Sequence, residues 1–481
     1  MSSNTHGDLP LEGIRILELG MVFVLPLAIT PLAGMGADVI KIESEIRPEQ
    51  SRWGPQPNNE MHEPAYNYGG SFHMLNRNKR GVTIDLAKPK GRELFLRLVA
   101  VSDVVAENFT PRVLRNLDLT YDRLAEVNPR IILLSSSGFG QTGPWQNYRA
   151  YGPVTESVDG LMMLTGYEDG PPQRGGSGGL GVTFPDVAGA YYGSYAILGA
   201  LEQREHTGRG QWLDLSHFEA GVATIPEAIL DYTMNGRVQE RMANRHPWRA
   251  PQGVYPCLGA DRWLALSIAT DVQFAALSRV LGLPGLAGDQ RFVTLDARRR
   301  NQDALDAFIG SATGGWAALE LEKKLQAAGI DAAAVADSRD VWLDPQLAAR
   351  GFFEMMPAPN AVPEVGSRPF IRPGWKMSES EATTRRQAPD FGEHTREVLG
   401  EYLDIRDAEL DALMDELAAE GVIADRPRQG MVARDPTDLA GMLETGLLQE
   451  VDPEYRQRLA SHLQGGVGLQ GVGSKMEVEL R

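Results

Sequence analysis

The sequence predicts an α/β protein, with a large domain built on a mostly parallel sheet covered by helices and a smaller α/β domain further along the chain. Three observations carry this. Ile14-Arg15-Ile16-Leu17-Glu18-Leu19 has the composition of a strand, Pro26 to Met35 that of a helix, and Asp38-Val39-Ile40-Lys41-Ile42-Glu43 that of a second strand, which makes a βαβ unit. The same alternation continues to Ser216. From about Asn244 the texture changes, with Pro247, Pro251 and Pro256 framing a link into new elements.

Taken in order, Arg92 to Val101 is a helix with apolar residues at Leu94, Phe95, Leu98 and Val99, and Asp103 to Ala106 is a short strand. A helix ends over Leu124 to Asn128, and Ile131 to Ser135 is the next strand. Gly138 to Gly179 is punctuated by glycine, proline and aromatic residues, the composition of long functional loops. Trp212 to Ser216 is a strand and Glu219 to Met234 a further helix. Trp263 to Ile268 opens the second domain, with helices following to about Gly329. The amphipathic stretch Glu409 to Ala419 closes a mixed region. The expected division is 1–235 for the first part of the large domain, 236–330 for the small domain, 331–426 for a return to the large domain, and 427–481 for an appended tail. In that tail Leu439 to Leu448 and Tyr455 to Leu463 have helical potential, as docking or surface helices.

Composition excludes several classes of function. The 481 residues carry a formal net charge of -17, whereas nucleic-acid surfaces need clustered Lys and Arg to replace counterions. An anionic ligand must therefore meet a local basic patch. The single cysteine, Cys257, cannot form an internal disulfide and reads as a small buried hydrophobe. The eight histidines show no metal-ligand spacing, so metal-free chemistry is expected. The N-terminus has no charged region followed by an apolar one, and no run of about 18 apolar residues occurs. A cytoplasmic protein without a membrane partner is the expectation.

A βαβ start invites a dinucleotide-binding reading, with Glu43 as the acidic residue that holds a ribose. The first turn reads Gly20-Met21-Val22-Phe23-Val24-Leu25-Pro26 rather than Gly-x-Gly-x-x-Gly, and its bulky side chains argue against a close-lying pyrophosphate.

Attention then falls on Gly175 to Leu201. A glycine run and Pro185 lead into Asp186, which precedes a long apolar segment expected to be a buried helix. Asp is a good N-cap, so capping alone would account for it. A carboxylate brought to a helix N-terminus by a flexible loop is also a well-placed nucleophile.

Several motifs occur in one order: Leu11-Glu12-Gly13-Ile14-Arg15-Ile16-Leu17-Glu18-Leu19, Gly36-Ala37-Asp38-Val39-Ile40-Lys41-Ile42-Glu43, Asn76-Arg77-Asn78-Lys79-Arg80-Gly81-Val82-Thr83-Ile84-Asp85-Leu86, Glu107-Asn108-Phe109, Tyr151-Gly152-Pro153, Asp186 with its helix, and Gly392-Glu393-His394-Thr395. Over residues 9–425 this set resembles the family III CoA-transferases (CaiB/BaiF family). The resemblance implies a Rossmann-like large domain, an interlocked homodimer, and transfer of coenzyme A from an acyl-CoA to a carboxylic acid. Coenzyme A is then a substrate, with no permanently bound cofactor. Asp186 falls on the family's catalytic nucleophile.

The resemblance further places CoA contacts at Phe23, Val24, Ile84, Asp85, Leu86, Ala87, Asn108 and Phe109. Lys88, Arg112 and Arg115 become candidate phosphate partners, since a guanidinium fork binds phosphate bidentately. For each of these bases a solvated surface role is the alternative. Asn78-Lys79-Arg80 reads as a basic turn, and Tyr151 and Phe139 as acyl-pocket or gap-filling residues.

Some positions depart from the family pattern. Val24-Leu25-Pro26 stands where small residues precede the proline, and Ser44 replaces an Arg, leaving Arg47 or Arg52 to serve. Arg115 is one place from the usual position. Ala250 to Tyr255 occupies the region of the glycine loop in formyl-CoA transferases, which argues against formyl-CoA:oxalate exchange. Related α-methylacyl-CoA racemases use a His and an Asp around the α-carbon. Here Ala150-Tyr151-Gly152 replaces their Gly-His-Asp, and no His lies between His73 and His206. Racemisation and a catalytically silent CoA-binding subunit remain the alternatives.

Overall fold

The computed structural model describes residues 9–175, 183–356, 367–428, 438–445, 448 and 450–464. Within it the chain divides into two compact units. One comprises Met1–Met162, Arg174–Arg237 and Gln346–Arg481, and the other Met163–Gln173 and Val238–Pro345.

The larger unit is built on six strands: β1 Arg15–Leu19, β2 Asp38–Glu43, β3 Lys79–Thr83, β4 Val104–Glu107, β5 Ile132–Ser137 and β6 Trp212–Ser216. Every pairing is parallel, in the order β3-β2-β1-β4-β5-β6. This is the doubly wound order, and it reverses direction between β1 and β4.

Side chains alternate across the sheet, as the two-residue period of a strand requires. Ile16, Val104 and Ala106 enter one core with Leu25, Ala28, Ile29 and Leu32 of the helix Val24–Gly34 and Ala190 and Ile197 of the helix Phe184–Thr207. Leu17, Leu19 and Val105 enter the other with Leu94, Phe95 and Leu98 of the helix Pro89–Val99. Val398, Leu399, Leu410 and Leu417, from the helices Thr395–Leu403 and Asp407–Ala419, join that second core.

The predicted helix over Glu219 to Met234 is two helices, His217–Val222 and Pro226–Asn235. Pro226 has no N–H to continue the first but suits the opening turn of the second.

In the smaller unit β7 (Gln252–Pro256), β8 (Trp263–Ser267) and β9 (Asp331–Ala334) form an antiparallel sheet in sequence order. β9 pairs with β8, which carries this unit past residue 330 to Pro345. Ala250 to Tyr255 leads into and forms most of β7. Cys257 is buried in the apolar core with Leu264, Phe274 and Leu277, as its sequence context suggested. The tail forms the helices Leu439–Glu444 and Tyr455–Gln464. Tyr455 donates to Asn58 Oδ1 at 3.2 Å, docking the second of these on the larger unit. Among the described residues no helix is long and apolar enough to cross a membrane.

Candidate active site

At the C-terminal ends of the parallel strands lies a cleft of about 980 Å³. Its walls are the turns after β1 (Met21 to Val24), β2 (Ile46 to Pro48), β4 (Asn108 to Val113) and β5 (Ser137 to Phe139), with Tyr151, Gly152, Asp186 and His217. This is the reversal point of the sheet, where the turns on either side diverge and leave room for a ligand.

Side chains, rather than glycines, shape the first turn. Asn108 Oδ1 accepts from the Met21 N–H at 2.9 Å, and its Nδ2 donates to the Met21 carbonyl at 2.9 Å, tying the turn after β4 to the turn after β1. Val22 has φ of 66°, a left-handed conformation costly for a β-branched residue. Its N–H donates to Glu49 Oε1 at 2.7 Å, which helps to hold it there. Leu25 is fully buried in the core, so its bulk is turned inward while Phe23 and Val24 line the cleft.

Beneath this turn lies a buried ionic group. Lys41 Nζ donates to the Gly20 carbonyl at 2.7 Å and sits 3.1 Å from Glu49 and 3.3 Å from Glu18. Lys79 pairs with Glu18 at 2.7 Å. Burial lowers the Lys79 ammonium to about 8 against the pull of Glu18. For Lys41 burial acts the same way, but Glu18 and Glu49 outweigh it and the net shift is upward. Asn78-Lys79-Arg80 is therefore not a basic surface turn. Lys79 is inside, and Arg80 is committed to Asp38 at 2.5 Å and to Glu401 at 2.6 Å.

Arg52 and Glu43 satisfy each other in the same way. Arg52 Nη2 lies 2.6 Å from Glu43 Oε2 and Nε 2.9 Å from Oε1, with the guanidinium 3.7 Å from the centre of the Phe72 ring. Glu43 has no free carboxylate for a ribose and Arg52 no free fork for a phosphate. Of the two arginines proposed to replace Ser44, only Arg47 lines the cleft.

The residues predicted to bind CoA divide into two groups. Phe23, Val24, Asn108, Phe109 and Arg112 come together on this cleft with Asp186. Ile84, Asp85, Leu86, Ala87 and Lys88 do not. They follow β3, two strands from the reversal point, where the C-terminal segment covers them. The Asp85 N–H donates to the Val422 carbonyl at 2.7 Å, and Lys88 Nζ donates to the Glu420 carbonyl. Arg115 also lies outside the lining, donating to the Gln141 carbonyl at 3.2 Å. Exposed Arg149 lines the cleft and was not anticipated. Phe139 and Tyr151 are at the cleft, and Phe139 packs edge-on to Trp145 with centroids 5.5 Å apart.

Asp186 is buried, 7% exposed, at the third position of the helix Phe184–Thr207. Thr183, not Asp186, is the N-cap. The two form a capping box, with Asp186 Oδ2 accepting from the Thr183 N–H at 3.2 Å and from its hydroxyl at 3.0 Å. The helix end favours a carboxylate. Burial nevertheless raises the Asp186 carboxyl above its ordinary value, with the Thr183 bonds and Arg174 opposing and Glu156 adding to the rise. Gly176 to Gly181 of the glycine run lie outside the described residues, as does Val182.

Sequence reasoning missed two further groups here. Glu156 is fully buried, accepts from the Gly175 N–H at 3.1 Å and lies 3.8 Å from Arg174 Nε. His217 lines the cleft with Asp186, its Nε2 2.8 Å from Ser136 Oγ. No local motif marks His217, because it arrives from β6, far along the chain from Tyr151-Gly152-Pro153. Among the described residues no cluster of three or more potential metal ligands occurs.

Comparison with known proteins agrees with this architecture. Residues 11–395 match the profile of CoA-transferase family III. The chain is similar to a succinate–glutarate CoA-transferase of Agrobacterium fabrum, 34% identical over 394 residues that cover 82% of this chain and 95% of that one. It is similar to an acetyl-CoA:oxalate CoA-transferase of Acetobacter aceti, 35% identical over 386 residues covering 79% and 95%. The crystal structure of a CaiB/BaiF family protein from Brucella suis superposes with a TM-score of 0.74 at 32% identity, over 82% of this chain and all of that one. The chain belongs to CoA-transferase family III, and it is a CoA-transferase.

Proposed function

We propose that Asp186 carries coenzyme A between two carboxylic acids. Its carboxylate attacks the acyl-CoA carbonyl, the C–S bond breaks, and CoA thiolate leaves an aspartyl–acyl anhydride. The thiolate then attacks the Asp186 carbonyl and releases the donor acid, so that the aspartyl side chain becomes the thioester. The acceptor carboxylate displaces the thiolate to form a second anhydride. Attack of the thiolate on the acceptor carbonyl yields the new acyl-CoA and restores Asp186. No water or proton is consumed in the balance.

The observation that carries this reading is a buried carboxylate on a helix end, in a cleft at the sheet's reversal point. Phe23, Val24, Asn108 and Phe109 are assigned to the CoA moiety, and Arg47, Arg112 and Arg149 to its phosphates. Relatives named for succinate, glutarate and oxalate support a dicarboxylic acid as acceptor. A homodimer is proposed as well, supported by Phe184, Tyr191 and Tyr195, 48%, 54% and 77% exposed along one side of the helix that carries Asp186.

The test is transfer from succinyl-CoA to a panel of acids, followed by mass detection. Wild type forms the acceptor thioester, and Asp186→Asn and Asp186→Ala form none. Transfer at the normal rate by either variant overturns the mechanism, and no transfer by wild type to any acid favours the silent-subunit reading. The presence of His217 in the same cleft as Asp186 supplies the one observation favouring a racemase, which needs two bases. Burial lowers its imidazole to about 4 and its Nε2 is occupied by Ser136, which makes it a weak base. Deuterium entering the acyl α-carbon without CoA transfer would reverse that choice.

A further inference from the structure

His217 is unused in this reading, although it shares the cleft with the nucleophile. It stands at the start of the helix His217–Val222 and is only 9% exposed. Nε2 is taken by Ser136 Oγ at 2.8 Å. Cδ2 faces Gly189, where a β-carbon would meet it at 3.3 Å. The remaining ring edge is Nδ1–Cε1, and Nδ1 has no hydrogen-bond partner among the described residues.

A Ser–His pair beside an aspartate suggests a hydrolase, but Ser136 does not fit that role. It is 1% exposed and absent from the cleft lining, so its hydroxyl meets no substrate. Its remaining role is to orient the imidazole. When the hydroxyl donates to Nε2, the proton of a neutral imidazole resides on Nδ1, at the free edge.

We propose that His217 is a substrate-contacting residue that donates an Nδ1–H hydrogen bond to the acyl oxygen of the bound thioester, with Ser136 as its positioning partner. This rests on the reading that the cleft holds the acyl-CoA and Asp186 attacks it. Neutrality suits the role. An imidazolium in this cleft would pair with the Asp186 carboxylate and blunt the nucleophile, whereas a neutral ring can polarise the carbonyl and leave Asp186 free. Burial, which keeps the ring uncharged, is consistent with this. The contact distinguishes acyl-CoA from free CoA, because only the thioester presents that oxygen.

The test separates this contact from the chemistry. In full-length Asp186→Asn protein, calorimetry compares the affinities of acetyl-CoA and free CoA, with and without His217→Leu, His217→Gln or Ser136→Ala. His217→Leu is expected to weaken acetyl-CoA binding about tenfold while leaving CoA affinity unchanged. His217→Gln, which keeps an N–H donor, restores most of the preference, and Ser136→Ala gives an intermediate loss. In the otherwise wild-type enzyme His217→Leu lowers kcat about 10²-fold, as removal of one polarising donor does. An unchanged acetyl-CoA preference in His217→Leu overturns the proposal, as does a Gln variant as impaired as Leu with CoA affinity intact. Failure of the nucleophile reading shows separately, as turnover by Asp186→Asn alone, while the binding comparison still decides the role of His217.

Discussion

Gly152 and Asp186 are in direct register: a β-carbon on Gly152 would lie 2.2 Å from Asp186 Oδ2 and 2.4 Å from Thr183 Oγ1. No real side chain tolerates such distances. The glycine of Tyr151-Gly152-Pro153 is therefore required by the approach of the helix Gly152–Val158 to Asp186, not by any unusual backbone angle. Gly152→Ala must push Asp186 or Thr183 aside. The expected result is a folded protein whose kcat/KM falls about 10²-fold, the cost of misplacing a reacting group by about an ångström. Unchanged transfer kinetics would show that Asp186 is free to move without loss.

Thr183 opposes the effect of burial on the charge of Asp186 as well as fixing its position. Its hydroxyl bond favours the carboxylate, so removing it moves the Asp186 carboxyl further up. Thr183→Val should shift the acidic limb of the kcat/KM profile to higher pH and cost about 1 kcal/mol as a lost cap. A limb that stays in place, read from transfer assays across pH, refutes the link.

Arg47 and Arg52 are five residues apart and should behave oppositely. Arg52 neutralises buried Glu43, so Arg52→Leu leaves an uncompensated carboxylate and destabilises by about 3–5 kcal/mol in urea unfolding. Arg47 is exposed at the cleft, and Arg47→Ala should leave the unfolding midpoint in place while raising the KM for acyl-CoA about tenfold. The reverse pattern would reassign the phosphate site.

Glu107, buried at the end of β4, accepts from the Phe109 N–H at 2.7 Å beside the cleft. Burial pushes its carboxyl up to about 7. In the unfolded chain it titrates near 4.3, by about the ordinary value for glutamate. Between those values the folded protein holds a proton that the unfolded chain has released, so stability falls as pH rises through the window. Above pH 7 the deficit is complete. Glu107→Gln should remove this slope, so that its Tm gains on wild type between pH 5 and 8. Parallel Tm curves would show that Glu107 is ionised in the fold.

The sequence by itself determined a mostly parallel sheet covered by helices, because strand and helix periods alternate from Arg15 to Ser216 and the strands β1 to β5 bury both faces. It also singled out Asp186, through a glycine-rich approach, a long helix and an ordered set of flanking motifs. Phe23, Val24, Asn108 and Phe109, in the turns after β1 and β4, were reached through the family resemblance and not through periodicity. Tertiary structure alone decided which charged residues are available to a ligand. Lys79, Arg80 and Arg52 have the same sequence character as Arg47 and Arg112, yet carboxylates from Glu18, Asp38 and Glu43 claim the first three. For Lys79 and Arg80 that pairing depends on strands brought together across the sheet, and for Arg52 on a turn folding back against β2, neither of which local pattern encodes. The same holds for Ile84 to Lys88, covered by a segment more than 300 residues later, and for His217, which β6 delivers to the cleft that Asp186 lines from another helix. Periodicity reports how each element meets its own neighbours, whereas a site depends on which elements end at the same place.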